Sequence, residues 1–412
     1  RYRYPGEIRH EYPNLIELFR SCSPGREIME GLARIMGEAG SGPLVVRGSS
    51  LLEGSSGVFF GGCHRRVFLP GGSLERLAEA VSLVYASVFG PEALARRRMG
   101  NLQDLREEIG IMIQPVVGRR LGRYFLPSFS GIAMGRSTVS LSGGMAPEDG
   151  LVRLVPGLGI GAMNRSAFHS PVLACPGKPD LRLRSSLDEM IRCSPSRAWA
   201  LDMETGAEAA VSVEELVKGY GAEYPMAPMV FSVNRGHRPV KAGLLTDFSS
   251  EFCFASFQGL LEGGSGFLRG IGSILSSLER RLGYPVDIEF ACDGESLYLL
   301  QCRPSADSGS SIGVPALSLP PGAETVLKCE AMVTDGVFRG VTHAVVLQGP
   351  GCARLSMDER NDVAEAVGKL NEMLPPGGFM VIGPGRWGSS DDPPGGVPLE
   401  FSRINKAALL VE

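Results

Sequence analysis

Apolar residues recur at helical spacing through the first forty positions: Leu15, Leu18 and Phe19, then Ile28, Leu32, Ile35 and Met36. Residues 43–47, Pro-Leu-Val-Val-Arg, read as a short buried strand, and a loop rich in Gly and Ser follows over 48–62. A helical region is expected over 73–99, with Ser73 as its N-cap and an interruption at Pro91. Residues 109–117 form an apolar strand, and further strands are expected near 130–142, 151–156, 197–202 and 228–233. A helix with a glycine-rich middle spans 256–282 and ends near Gly283. It feeds two apolar-rich strands around Asp293-Gly294, a hairpin signal, within 286–304. Residues 304–322 turn to Ser, Gly and Pro and read as a linker. The last ninety residues hold a strand at 343–348, a helix capped by Ser356 running to about Leu374, a strand at 379–382 and a last one at 406–411. Strand and helix alternate without an internal repeat, which gives an α+β or α/β chain with mixed sheets.

At 412 residues the chain exceeds one ordinary domain, so two or three packed units are expected. The 41 basic and 45 acidic residues nearly balance and no basic tract stands out, so no nucleic-acid partner is expected. The chain begins with Arg1 and shows no charged-then-apolar leader, so a fragment or a trimmed N-terminus is expected. Apolar runs such as 408–411 are far too short for a bilayer, and no membrane partner is expected. The nine cysteines include no C-x-x-C pair, and their odd number argues against a complete disulfide framework. A reducing cytoplasm without structural zinc is therefore expected, and the five histidines show no ligand spacing either. Glycine, at 55 residues, favours many tight loops over long bundles.

The hairpin carries chemistry that a core does not need. Asp287, Glu289, Gln301 and Arg303 interrupt its strands. If residues 294–296 form a three-residue loop, Glu289 lies opposite Gln301 and Asp287 opposite Arg303, all on one face. Two oxygen ligands beside a guanidinium suit a hard divalent metal and a polyphosphate. On pattern alone, an amphipathic hairpin with a solvated salt bridge serves equally well. Upstream, the 43–47 strand delivers Arg47 into small residues whose backbone N–H groups can wrap an anion; the bland alternative is a surface turn. Ile111 to Val117 is an apolar stretch with one amide, Gln114, which fits the edge of a purine between apolar walls. It reads equally as a core strand with an edge proline.

These segments together resemble the nucleotide-binding domain of the phosphoenolpyruvate synthase and pyruvate phosphate dikinase family. The family pattern Asp-Ile-Glu-(aromatic), turn, Gln-x-Arg-Pro matches Asp287, Ile288, Glu289 and Phe290 and then Gln301, Arg303 and Pro304. Val46, Arg47 and Ser49 resemble its Val-Arg-Ser-Ser segment, with Gly48 in place of the first Ser and Glu53 as the acidic residue. The strand holding Gln114 resembles Val-Val-Val-Gln-x-Met-Val, and Ser130 to Met134 resembles Ser-Gly-Val-Met-Phe. Gly157 and Gly159 resemble a Gly-Leu-Gly-Glu loop, with Ile160 standing where the family usually has Glu. The Gly-Gly-Lys segment of the family has no match and is expected upstream of Arg1.

The resemblance implies a two-lobed ATP-grasp-like α+β domain with a C-terminal α/β appendage. The expected boundaries are 1–120 and 121–305 for the two lobes, 306–322 for the linker and 323–412 for the appendage. It implies that Glu289 and Gln301 hold Mg²⁺, that Arg47 and Arg303 meet the ATP phosphates, and that Gln114 binds nucleotide. In the family the phosphoryl group of ATP passes to a histidine on a mobile domain. The expected partners are therefore ATP and either a phosphohistidine-bearing partner domain or a small-molecule acceptor. The alternative is a non-catalytic nucleotide-binding or regulatory module, which Ile160 favours. Thr342-His343 only superficially resembles the phosphohistidine motif, and a core strand that starts with His343 is expected instead. The loop 383–391, with Arg386 and Trp387, either binds phosphate or a planar ligand or is a tight loop with Trp387 packed over an interface.

Overall fold

The computed structural model describes residues 5–50, 63–99, 102, 107–137, 139–140, 145–163, 171–181, 186–236, 238–243, 245–262, 266–305, 322, 324, 333–334, 338–347, 355–383, 387, 397–399 and 403–411. The chain divides into two units. The first comprises Arg1–Thr138, Gly144–Met163 and Pro171–Gly309, and the second the remainder. The architecture is mixed α+β, with several small sheets.

The first unit opens with helices α1 (Pro5–Ser21) and α2 (Arg26–Ala39), as the periodicity predicts. Three antiparallel strands follow: β1 (Leu44–Ser50), β2 (Arg66–Leu69) and β3 (Ile109–Pro115), in the order β2-β1-β3. Strand β1 runs three residues past its expected end, because Gly48, Ser49 and Ser50 keep pairing with Ile111, Gly110 and Ile109. Residues 51–62 of the expected loop lie outside the described residues. Side-chain alternation splits this sheet into two faces. Val46, Val67, Ile111 and Ile113 point to a core built with Leu32, Leu77, Ala80, Val81 and Val84 from α2 and α3 (Leu74–Ser87). The other face stays open to a cleft. Ser73 caps α3 by accepting from the Arg76 N–H at 3.4 Å, and Pro91 opens a separate helix, α4 (Pro91–Met99). Within Leu74–Arg98 an 18-residue window is apolar enough to cross a membrane, but 67% of it is buried inside the protein.

A five-stranded antiparallel sheet supports the opposite side of the cleft, in the order Leu297–Pro304, Val286–Cys292, Phe129–Met134, Leu151–Pro156, Val172–Ala174. Helix Gly266–Leu282 buries Leu268, Ile271 and Leu275 in the main core beside it. Phe129 meets Phe257 and Phe267 edge-on, at centroid distances of 6.0 and 5.8 Å. Burial of each such ring is worth on the order of 1.5–3 kcal/mol.

Several expectations need correction. Residues 228–233 are not one strand: Ala227–Val230 is a helical turn, and the strand runs Phe231–Arg235. Residues 130–142 split into Phe129–Met134 and Val139–Ser140. The helix expected over 256–282 is two, Gln258–Leu261 and Gly266–Leu282.

In the second unit, strands His343–Val346, Phe379–Ile382 and Leu409–Val411 form a parallel sheet. Helix Met357–Met373 starts with a capping box between Ser356 and Glu359. His343 does begin a strand, but His343, Ala344 and Val346 are exposed, so this is not the core strand expected. Trp387 is 3% exposed, in a core with Phe379, Val381 and Leu399. It packs so closely on Gly383 that a Cβ there would lie 2.4 Å from its ring. Its ring is spent on the core of its own unit, not on a ligand. Arg386 and most of the 383–391 loop lie outside the described residues.

Candidate functional site

The hairpin strands pair Glu289 with Gln301 and Asp287 with Arg303, the expected partners, but by a different route. Residues 293–296 form a four-residue turn, in which the Asp293 carboxylate accepts from the Glu295 and Ser296 N–H groups, both at 2.8 Å. That even loop pairs Cys292 with Leu297 and Phe290 with Leu299. A bulge then leaves Leu300 without a ladder partner and restores the register at Glu289.

The bulge faces Arg47. Its Nη2 donates to the Leu300 carbonyl at 3.0 Å and approaches the Met112 sulfur at 3.4 Å. Its Nη1 donates to Gln301 Oε1 at 3.0 Å and lies 3.7 Å from Glu289 Oε2. The Arg47 and Glu289 side chains retain 18% and 25% of their exposure, so the pair is only partly shielded from water. Arg303 Nε stands 3.9 Å from Asp287 Oδ2, with Asp287 almost fully buried.

Arg47, Glu289 and Gln114 line one cleft, with Val45, Phe68, Val116, Leu158 and Ile160 among its apolar walls. Its volume is about 110 Å³, on the scale that takes up one aromatic ring. A ligand larger than a ring must extend past these walls. The open face of the three-stranded sheet presents two rows to it. One row is Phe68–Val45–Gln114; two residues further along lies Arg66–Arg47–Met112. At ~3.4 Å per residue the rows stand roughly 7 Å apart, an apolar-and-amide row followed by a cationic one.

On the far wall Gly131 permits close packing, and Gly157 does so just before the lining residue Leu158. A Cβ on Gly131 would lie 2.5 Å from the Phe290 ring, and one on Gly157, at φ +74°, would lie 2.2 Å from the Trp199 carbonyl. Ile160 is buried among Val116 and Leu158, so this loop contributes an apolar surface and no acid. Arg66 and Phe68 escaped the sequence reading; their signal was the short alternating run Arg66-Val67-Phe68-Leu69 that is β2.

A divalent cation can be tested against this donor set. No group of three or more His, Cys, Asp or Glu suited to a metal occurs among the described residues. Glu289 and Gln301 nevertheless face each other across the ladder with a carboxylate and an amide oxygen. Mg²⁺ needs no more protein ligands than that when phosphate and water complete its shell. Arg47 lies against both groups, so the pair fits such an ion only once the guanidinium has another partner.

The family model described as "Pyruvate phosphate dikinase, AMP/ATP-binding domain" matches residues 4–316. No curated protein matches the chain.

Proposed function

The chain belongs to the family of the pyruvate phosphate dikinase AMP/ATP-binding domain, and from that premise we propose that it binds ATP with Mg²⁺ and transfers phosphoryl from ATP to an acceptor still to be identified. One observation carries the reading. Arg47 meets Gln301 across 254 residues of sequence, at a cleft that Gln114 also lines. The sheet β2-β1-β3 and the five-stranded sheet would be the two lobes of an ATP-grasp-like domain.

The base lies in the apolar cleft, with the Gln114 amide at its edge and Phe68, Val116, Leu158 and Ile160 excluding water. Arg47 donates to phosphate oxygens and neutralises charge that develops as the terminal P–O bond breaks. Arg303 does the same from the hairpin, with Asp287 orienting it. Glu289 and Gln301 would hold Mg²⁺, which, when bound, draws charge from the phosphates and orients the transferred group.

Ile160 favours a second reading, a nucleotide-binding module without turnover, because no carboxylate stands in that wall. Calorimetric titration of the purified chain with ATP, with and without Mg²⁺, tests binding. Formation of ADP, AMP or a phosphoprotein then separates the two readings, and a chain that binds no nucleotide refutes both.

A further inference from the structure

Arg66 stands directly opposite Arg47 in the β1–β2 ladder, and both line the cleft. Directly opposed residues in an antiparallel pair share a face, with Cβ atoms about 4.5–5.5 Å apart. Like charges so placed repel, and neither strand end needs a cation to fold: the next row along is Phe68 opposite Val45. Arg47 is offset by Glu289, 3.7 Å away. Arg66 is exposed, and its charge is felt at the half-buried Glu208. Burial raises the Glu208 carboxyl above the usual range, and the Arg66 charge opposes that rise.

We propose that Arg66 is a second phosphate-binding guanidinium, placed across the sheet from Arg47 so that the two arginines grip a chain of phosphates between them. This rests on the nucleotide reading above and deepens it, because it names the part of the ligand that this side of the cleft recognises. With the base held at the Phe68–Val45–Gln114 row, the cationic row lies roughly 7 Å further along the strands. That offset suits the polyphosphate of a nucleoside di- or triphosphate. A nucleoside monophosphate is too short to engage both arginines. Guanidinium groups bind phosphate through paired, charge-assisted hydrogen bonds, which sets the size of the effect.

The test is calorimetric titration of the full chain with ATP, ADP and AMP, for wild type, Arg66→Gln, Arg66→Lys and Glu208→Gln. Arg66→Gln should lose ATP affinity about tenfold or more and leave AMP within about twofold. Arg66→Lys should fall between, since it keeps the charge without the fork. Glu208→Gln, which removes the carboxyl that feels the Arg66 charge, should bind ATP at least as tightly as wild type. Unchanged ATP affinity in a folded Arg66→Gln variant overturns the inference alone. Equal losses for ATP and AMP overturn it too, because the side chain then acts through the fold. Wild-type protein that binds none of the three overturns the nucleotide reading and this inference with it.

Discussion

Arg47 donates from Nη1 to Gln301 Oε1 at 3.0 Å while its Nη2 holds the Leu300 carbonyl at the same distance. The contact ties a strand of the N-terminal sheet to the hairpin 254 residues later. Each end is fixed by pairing, β1 by β3 on one side and Gln301 by Glu289 on the other. Replacing Arg47 should therefore affect ligand more than fold. For Arg47→Gln the expectation is a loss of ATP affinity of about 10–100-fold, from hydrogen bonds to charged groups worth ~1.5–3 kcal/mol. Calorimetry reads this directly, and an unaltered dissociation constant would sink the site assignment.

If the cleft takes nucleotide and Mg²⁺ as proposed, the same contact should make their binding mutually dependent. A cation arriving alone at Glu289 and Gln301 meets the guanidinium that already lies 3.0 Å from one and 3.7 Å from the other. On the proposed reading, phosphates would offer Arg47 a stronger partner and release the two oxygens. Mg²⁺ should bind about 5–150-fold tighter in the presence of ATP, a coupling on the order of 1–3 kcal/mol, and ATP should gain by the same factor from Mg²⁺. Glu289→Gln should weaken that coupling. Titrations that give one Mg²⁺ affinity with and without nucleotide would refute it.

What could be read in advance was local chemistry and period. Apolar spacing located α1, α2, α3 and β3, and the residue types at 287, 289, 301 and 303 marked one face of a hairpin. The pairing Glu289–Gln301 was legible while its cause was not. A bulge is a compromise between turn geometry and packing, so nothing at Leu300 itself announces that this residue will be skipped. Arg47 reaching Gln301 was likewise invisible, because a contact across 254 residues depends on how two sheets face each other. Strand Arg66–Leu69 was lost among its polar neighbours, being only four residues long with one exposed end. The helical turn Ala227–Val230 was misread because Pro228, Met229 and Val230 precede a true strand with no break in apolarity.

A buried carboxylate close to this site sets a stability prediction. Glu107 accepts from the Ser50 hydroxyl at 2.6 Å, bonds the His64 imidazole Nε2 at 3.0 Å and lies 3.5 Å from Arg97 Nε. The Glu107 side chain is 1% exposed, and those of His64 and Arg97 are 3% and 8%. One carboxylate thus ties the last residue of β1 to the approach to β2 and to α4. Removing it strands a buried guanidinium, for which the typical cost is ~3–5 kcal/mol. Glu107→Ala should lower the midpoint of urea unfolding accordingly, and Glu107→Gln, which keeps an acceptor for Ser50, should cost less. Equal stability of Glu107→Ala and wild type would show that the cluster is not structural.

Acid sensitivity should come from carboxylates of the first unit that are held ionised. Asp247 accepts from the hydroxyls of Ser249 and Ser250, both at 2.6 Å, and these bonds pull its carboxyl down to about 2. Asp202 is held below the usual carboxylate range chiefly by its hydrogen bond from Arg123, and its other oxygen accepts from the Glu204 N–H at 2.9 Å. For a group whose folded value is depressed, the unfolded chain takes up the proton first as pH falls. The stabilisation is complete above the unfolded value of ~3.9 and disappears as pH drops through the folded one. For Asp247 the window runs from about pH 4 down to about 2. Asp247→Asn should therefore be less stable than wild type at pH 7, with the two curves converging as pH approaches 2. Asp202→Asn should converge in the same direction, with Arg123 then lacking its carboxylate. Urea unfolding of wild type and both variants at a series of pH values from 7 to 2 reads the difference. A deficit that stayed constant across that series would mean the side chains act through packing and not through their charge.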